Sequence, residues 1–402
     1  MHTNKKFDTQ KTWPLLRPHY KETVVKRTTL AALPLALAMT GAHAQSSVTL
    51  YGVVDLGVDY ANNVVSGSKG NIVPGSGGKL TQMQSGVPLG SRWGLLGVED
   101  LGGGNQAIFR LESGFNAATG GAGGGLAFSR NAYVGIKSNQ YGQLTFGKQW
   151  DASIDILEPF TLNGQYGGWY FAHPNDMDNL DNGFSINNAV KYVSPNLAGF
   201  TFEGHYSFGG VAGQFSDNST YSAAVGYSHG AFSAGVSYLH VNDPITAVAG
   251  YGSGGGYVNT IYGDALANAR YQGVLSAGAA YVLGPLKLGA DYSNVNFAAG
   301  PGGNDLHFQN YEVSAIYSLT SALTIAGGYT FTTGLDHATD TSPKYHQANL
   351  IAQYSLSKRT SVYAMGTYQH AAGAAQYAQI TSFNPSSTQN QVVTRVGITH
   401  SF

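Results

Sequence analysis

Beyond residue 45 the chain alternates apolar and polar positions with a period of two, in stretches of roughly ten residues separated by turn chemistry. In the first stretch Val48, Leu50, Val54, Leu56, Val58 and Tyr60 share one face, while Thr49, Asp55 and Asp59 share the other. One face suits lipid and the other suits water. No apolar run here approaches the ~20 residues that a membrane-spanning helix needs. The turns read Glu99-Asp-Leu-Gly-Gly-Gly104, Gln140-Tyr-Gly142, Ser194-Pro-Asn-Leu-Ala-Gly199, Ser228-His-Gly230, Leu283-Gly-Pro285, Thr320-Ser-Ala322 and Ser357-Lys-Arg359. In several of them Gly supplies positive φ or Pro fixes φ. Longer polar segments lie between them, near 63–90, 116–127, 151–186, 209–219, 242–268, 297–307, 333–345 and 371–391.

Seven short turns alternating with eight long loops predict an all-β fold, a transmembrane antiparallel β-barrel of sixteen strands. The sheet must close, because every unpaired backbone group in hydrocarbon costs several kcal/mol. The final stretch, Val392 to Phe402, places Val396, Ile398, His400 and Phe402 on one face and Arg395 on the other, and is expected to pair with the first strand. Sixteen strands leave an aqueous lumen, whereas ~8 would fill with side chains.

Composition supports this reading. Charged residues make up only 11 % of the chain, against 55 Gly and 26 Tyr, which suits tight turns and aromatic bands at a membrane interface. Residues 1–44 carry seven Lys/Arg and two Asp/Glu, leaving 14 basic and 20 acidic residues beyond them, a net of −6. A nucleic-acid partner is therefore not expected. With no cysteine there is no disulfide framework or thiol nucleophile.

Within 1–44, Lys26-Arg27 precedes the apolar run Leu30–Met39, and Ala42-His43-Ala44 forms an A-x-A pattern before Gln45. The expectation is a cleaved signal peptide over 1–44 and a barrel over 45–402. Residues 1–23 are polar and lengthen the leader beyond need, so translation is expected to begin near Val24 or Val25.

Four segments resemble the general porin family of Gram-negative bacteria, in its β-proteobacterial form. They are Ser47-Val-Thr-Leu-Tyr-Gly-Val-Val-Asp55, Ser91-Arg-Trp-Gly-Leu-Leu-Gly-Val-Glu-Asp-Leu-Gly102, Ala107-Ile-Phe-Arg-Leu-Glu-Ser-Gly-Phe115 and Arg130-Asn-Ala-Tyr-Val-Gly135. The ending Val396-Gly-Ile-Thr-His-Ser-Phe402 matches as well. The resemblance implies a homotrimer in the outer membrane, among its lipid and lipopolysaccharide. Each barrel would carry its own pore, narrowed by an inward-folded third loop. It further implies that Phe402 serves as a signal to the barrel-assembly machinery.

Alternation puts Arg92, Arg110 and Arg130 on non-lipid faces, since a basic residue facing lipid at mid-bilayer would cost ~2–4 kcal/mol. The resemblance implies that these arginines, with Lys148, form a basic wall facing acids of the third loop. That loop supplies Asp151, Asp155 and Glu158, then Asp176, Asp178 and Asp181. Asp151, Asp155 and Glu158 are expected at the constriction, and the 176–181 cluster is expected to solvate the loop. Lys191 and Arg270 read as ordinary lumen-wall residues.

Pro74-Gly-Ser-Gly-Gly-Lys79 lacks the spacing of a phosphate loop, and no G-x-S-x-G elbow or H-E-x-x-H pattern occurs. No catalytic residue, metal ligand set or cofactor is assigned. The expected function is passive diffusion of small hydrophilic solutes and ions. A solute-specific channel is the alternative, with Trp169 and Tyr170 able to begin an aromatic track. An outer-membrane enzyme built on a barrel is a weaker one.

Overall fold

A computed structural model describes residues 46–66, 72–248, 259–300, 303 and 305–402. The signal-peptide assignment falls outside these residues. The strands are β1 (Ser47–Val64), β2 (Gly78–Ser85), β3 (Arg92–Gly102), β4 (Asn105–Gly114), β5 (Asn131–Ser138), β6 (Gly142–Gln149), β7 (Ile186–Val193) and β8 (Phe200–Ser207). They continue as β9 (Thr220–His229), β10 (Phe232–Asn242), β11 (Ala269–Leu283), β12 (Leu286–Ala299), β13 (Leu306–Ser318), β14 (Leu323–Asp336), β15 (Pro343–Ser355), β16 (Thr360–Gly373) and β17 (Asn390–Ser401).

From β3 to β17 each strand pairs antiparallel with the next, β2 and β3 both pair with β1, and β1 pairs with β17, so the sheet closes. Val53 lies opposite Ser401 and Ala61 opposite Val393. Residues 56–64 of β1 pair with β2, while residues 47–53 pair with β3. Those two segments are therefore halves of one stave, and the seventeen segments make a sixteen-stranded barrel. The sequence pattern places a loop near 63–90, and β2 lies within it. In β2 the residues on both faces are mostly polar (Lys79, Thr81, Gln82, Gln84), so the period-two signal is invisible there. Between the halves, residues 86–91 dip inward. Val87 is buried and its N–H donates to Asp55 Oδ1 at 3.0 Å.

Alternation works as expected along β1. Val48, Leu50, Val58 and Tyr60 are exposed on the outer surface, and Asp55 and Asp59 are buried within. All seven anticipated short turns join consecutive strands. At the seam, the backbones of Phe402 and Gly52 exchange two hydrogen bonds of 3.0 and 3.1 Å. A Cβ on Gly52 would lie 2.3 Å from the Phe402 ring, so only glycine leaves room for that ring.

The apolar core lies inside the barrel, under its internal loops. The segment after β6 folds inward as α1 (Ala152–Leu157) followed by a chain of short helical turns to Asp176. Its helix rests against β8, β9, β10 and β11. Leu157, Phe160, Leu162, Tyr170, Phe171, Met177 and Leu180 are all buried there.

The seat for this loop is a belt of small residues on the inner wall. A Cβ at Gly226 would stand 3.1 Å from Ile156, at Gly235 2.7 Å from Ile156, and at Gly278 2.8 Å from Phe160. At Gly328 it would stand 3.0 Å from Leu162. These glycines occupy β9, β10, β11 and β14, and the first three lie opposite one another in the ladder. Interiors are close-packed, so removing side chains from the wall lets the loop lie nearer to it.

Candidate functional site

Arg92 on β3, Arg110 on β4 and Arg130 just before β5 converge on one carboxylate, Glu112. The guanidinium of Arg110 lies 2.6 Å from Glu112 Oε2, Arg130 Nε 2.9 Å from Oε1, and Arg92 Nε 3.7 Å from Oε2. Glu112 is fully buried, and the arginines retain 18–30 % exposure of their side chains towards the lumen. Tyr51 donates to Glu112 at 2.7 Å and accepts from Arg110 Nε at 2.8 Å. Asn131 donates to Glu112 at 3.2 Å. Arg130 also lies over the Trp150 ring, 5.0 Å from its centroid. Charge-assisted bonds of this kind hold the guanidinium planes in place.

Glu112 was missed from sequence although the signal was present. It stands two residues from Arg110 on the same face of one strand. Three cations against one anion leave the wall with a net charge of +2, from the charges just named.

Lys148 does not join this group. It shares the parity of Leu144 and Phe146, both exposed on the outer surface, whereas Thr145 and Gln149 are buried. Its ammonium turns to Ser185 O at 3.2 Å and Asn187 Oδ1 at 3.0 Å. A lysine near a strand end satisfies its charge by reaching polar groups beyond the apolar band.

The third-loop acids divide into distinct roles. Asp151 is fully buried as the N-cap of α1, accepting from Ser153 N at 2.7 Å and Asn179 Nδ2 at 2.9 Å. Aspartate is among the preferred N-caps, and here that structural role removes it from the lumen. Asp155 is partly exposed and pairs with Lys191 of β7, which also lies 3.7 Å from Glu203. Lys191 therefore holds the loop's root and is more than a plain wall residue. Glu158 accepts from Asn182 Nδ2 at 2.8 Å, and Asn182 Oδ1 accepts from Arg130 at 3.4 Å. One amide thus bridges the arginine wall and the loop carboxyl. Burial pushes the Glu158 carboxyl up to about 7, against the pull of Asn182 and Arg130. On the wall beneath the loop, Lys287 donates to Pro159 O at 3.2 Å.

The 176–181 cluster is buried and does not solvate the loop. Asn175, Asp176, Asn179 and Asn182 all adopt positive φ between 50° and 60°, a region that Asn and Asp tolerate better than other side chains. The carboxyl of Asp176 accepts from the N–H groups of Asp181 and Gly183, each at 2.9 Å. Burial raises Asp176 and Asp181 well above the usual carboxylate range, and each raises the other or is raised by a neighbouring acid. His173 Nδ1 and Asp178 Oδ2 are 2.6 Å apart. Burial works against the charge on His173, but Asp178 and the nearby Asp291 and Glu312 outweigh it and raise the imidazole to about 10. Trp169 and Tyr170 pack into the loop's core, and Tyr170 is buried with its hydroxyl on Gln84. Arg270 stands at the end of β11 over Tyr271.

A closed sixteen-stranded barrel, apolar outside, with a charged lumen crossed by an inward loop, defines an outer-membrane channel protein. The chain belongs to the Gram-negative porin family, whose sequence profile matches residues 29–374. It is 32 % identical over 374 residues to an outer membrane porin protein of Bordetella pertussis, covering 86 % of this chain and 94 % of that one. It is 29 % identical over 385 residues to outer membrane porin protein 32 of Delftia acidovorans, covering 93 % and 99 %. Among solved structures, the anion-selective porin from Comamonas acidovorans superimposes with a TM-score of 0.68 at 25 % identity, over 89 % of this chain and all of that one. OmpT of Vibrio cholerae, in a trimer form, shares the fold with a TM-score of 0.61 at 15 % identity, over 89 % and 99 %. The protein is an outer-membrane porin, a water-filled channel for passive diffusion of small hydrophilic solutes and ions.

Proposed function

We propose that the eyelet of this pore lies between Arg92, Arg110 and Arg130 on one side and Asp155 and Glu158 on the other, and that it prefers anions. The observation that carries the reading is the sharing of a single buried carboxylate, Glu112, among three guanidiniums. The opposing side is weakly negative, because Asp155 is offset by Lys191 and Glu158 is pushed up to about 7. A positive constriction raises the local concentration of anions and lowers that of cations. The anion selectivity named for the Comamonas relative supports the same sign.

Three copies associate through the low side of the barrel. β5, β6, β7 and β8 have eight residues each, against 13 to 15 in β11 to β16. Eight residues tilted by ~45° rise only ~19 Å, short of the ~25 Å apolar band. Burying that side against two further copies removes it from lipid. On the tall side, the outward Tyr238, His240, Tyr271 and Tyr311 suit the headgroup level of the outer leaflet and its lipopolysaccharide. Phe402, 43 % exposed at the barrel end, is the residue offered to the assembly machinery.

Planar-bilayer recording across a salt gradient tests the proposal. The expected results are a reversal potential of anion-selective sign and three equal conductance steps per insertion. A cation-selective sign would reject this eyelet, and single steps would reject the trimer.

A further inference from the structure

Behind the third loop, away from the eyelet, three side chains from three separate parts of the chain point at one another: His173 of the loop, Asp291 of β12 and Glu312 of β13. One ligand atom from each lies within 4.8 Å of the other two. His173 Nε2 stands 3.4 Å from Asp291 Oδ2 and 3.9 Å from Glu312 Oε2. All three side chains are at most 1 % exposed. His173 Nε2 makes no hydrogen bond, and neither oxygen of Asp291 receives a donor except where a proton is shared with the facing Glu312 carboxyl. Leaving buried polar atoms of a charged group unbonded is costly, and such a group calls for an explanation.

We propose that His173, Asp291 and Glu312 form a binding site for a divalent transition-metal ion of the zinc class, which latches the third loop to the barrel wall. A zinc ion takes imidazole nitrogen at ~2.0–2.1 Å and carboxylate oxygen at ~2.0–2.2 Å. Two such ligands on a tetrahedron stand about 3.4 Å apart; His173 and Asp291 already stand at that separation, and Glu312, whose ligand atom lies within 4.8 Å of both, draws in on binding. Calcium and magnesium favour all-oxygen shells, whereas an imidazole among carboxylates suits zinc and its neighbours.

The surroundings match those of a metal-bound histidine. His173 Nδ1 is engaged by the Asp178 carboxylate, which in turn accepts from Ser293 Oγ. A metal-ligating histidine usually gives its other ring N–H to a carboxylate or carbonyl, fixing ring and tautomer. Glu312 is likewise held, by Leu162 N at 2.6 Å on Oε1 and by Thr330 Oγ1 at 3.0 Å on Oε2. Charge points the same way. Asp178, Asp291 and Glu312 set three carboxylates around one imidazole, and a divalent cation balances them better than a single proton does. Loading exchanges the proton on His173 Nε2 for the metal, since only the neutral ring can be a ligand.

The test uses the mature trimer, stripped with a chelator, desalted and exposed to Zn²⁺ alone. The expected result is one zinc per chain surviving a second desalting, read by elemental analysis. With it comes a higher thermal midpoint of the folded barrel. His173→Gln and Asp291→Asn should each lower retained zinc at least tenfold, while His346→Gln, on the outer surface, leaves it unchanged. Co²⁺ in place of zinc should give the visible absorption of a four-coordinate nitrogen–oxygen site in the unaltered protein. That reading does not depend on how the variants fold. Retention unaffected by both substitutions, or the absence of retained metal and of the Co²⁺ spectrum in the unaltered trimer, overturns the proposal.

Discussion

Arg395 donates from Nη1 to Asp59 Oδ1 at 2.7 Å, and both side chains are wholly buried at the seam between the last strand and the first. The same guanidinium reaches Asp55 Oδ1 at 3.2 Å and donates from Nε to Tyr363 at 2.8 Å. Every other pair of adjacent staves is joined by a hairpin or loop in sequence. This one closes without a connecting loop, through ladder hydrogen bonds, side-chain packing and these charges.

Replacing Arg395 with Met strands two carboxylates in the wall. Breaking a buried pair in this way costs about 3–5 kcal/mol. The expected outcome is a folded barrel that converts to the unfolded form on SDS gels at a clearly lower temperature, with part of the loss recovered by adding Asp59→Asn. Equal conversion temperatures for R395M and the unaltered protein would show that the seam does not depend on this ion pair.

Glu112→Gln removes the anion shared by three arginines. The reversal potential should move further towards anions, by an amount that shrinks as salt rises, because exposed charges are screened over ~10 Å at 0.1 M. Arg130→Ala should move it the other way. A shift of the same sign in both variants would separate these residues from the eyelet.

Burial pushes the Glu158 carboxyl up to about 7, which puts its change of charge within the working range of the channel. Above that pH it is a carboxylate and offsets part of the arginine field. Below it the group is neutral, and the field stands uncompensated. Anion preference should therefore increase as pH falls from about 8 to about 6, and Glu158→Gln should abolish most of that change while fixing the low-pH value. The measurement is the reversal potential at several pH values in both proteins.

Gly235→Val places a branched side chain where even a Cβ would meet Ile156 at 2.7 Å. Overpacking of this kind costs roughly 1–3 kcal/mol. Here it is expected to be relieved by displacing the loop into the lumen. Single-channel conductance should fall and its noise should rise, with the barrel still heat-stable. Gly204→Val, at a position where a Cβ meets nothing within 4 Å, is the matched control.

Strand direction, face and closure were legible because the lipid imposes period two on every outward position. Arg395 opposite Val396 could be read that way, and so could Arg92 and Arg110. The half-strand Gly78–Ser85 was not legible, since polar residues on both faces carry no alternation. Lys148 was legible by the same rule, because it shares the parity of Phe146 and so falls on the outward face and not in the basic wall. The roles of Asp151 and of Asp176 to Asp181 depended on a loop folding back on itself, through backbone turns that no periodicity announces. His173, Asp291 and Glu312 are separated by 118 and 21 positions, so only the closed barrel brings them face to face.

The glycine belt has a consequence for how such pores diversify. The seat that fixes the depth of the inward loop is written in β9 to β14, some 70 to 165 positions further along the chain. Transplanting the loop alone into another barrel would carry its charges but not its position. The depth at which the loop lies is thus shared between loop and host wall, and a single methyl group added on the far side of the lumen is expected to shift it.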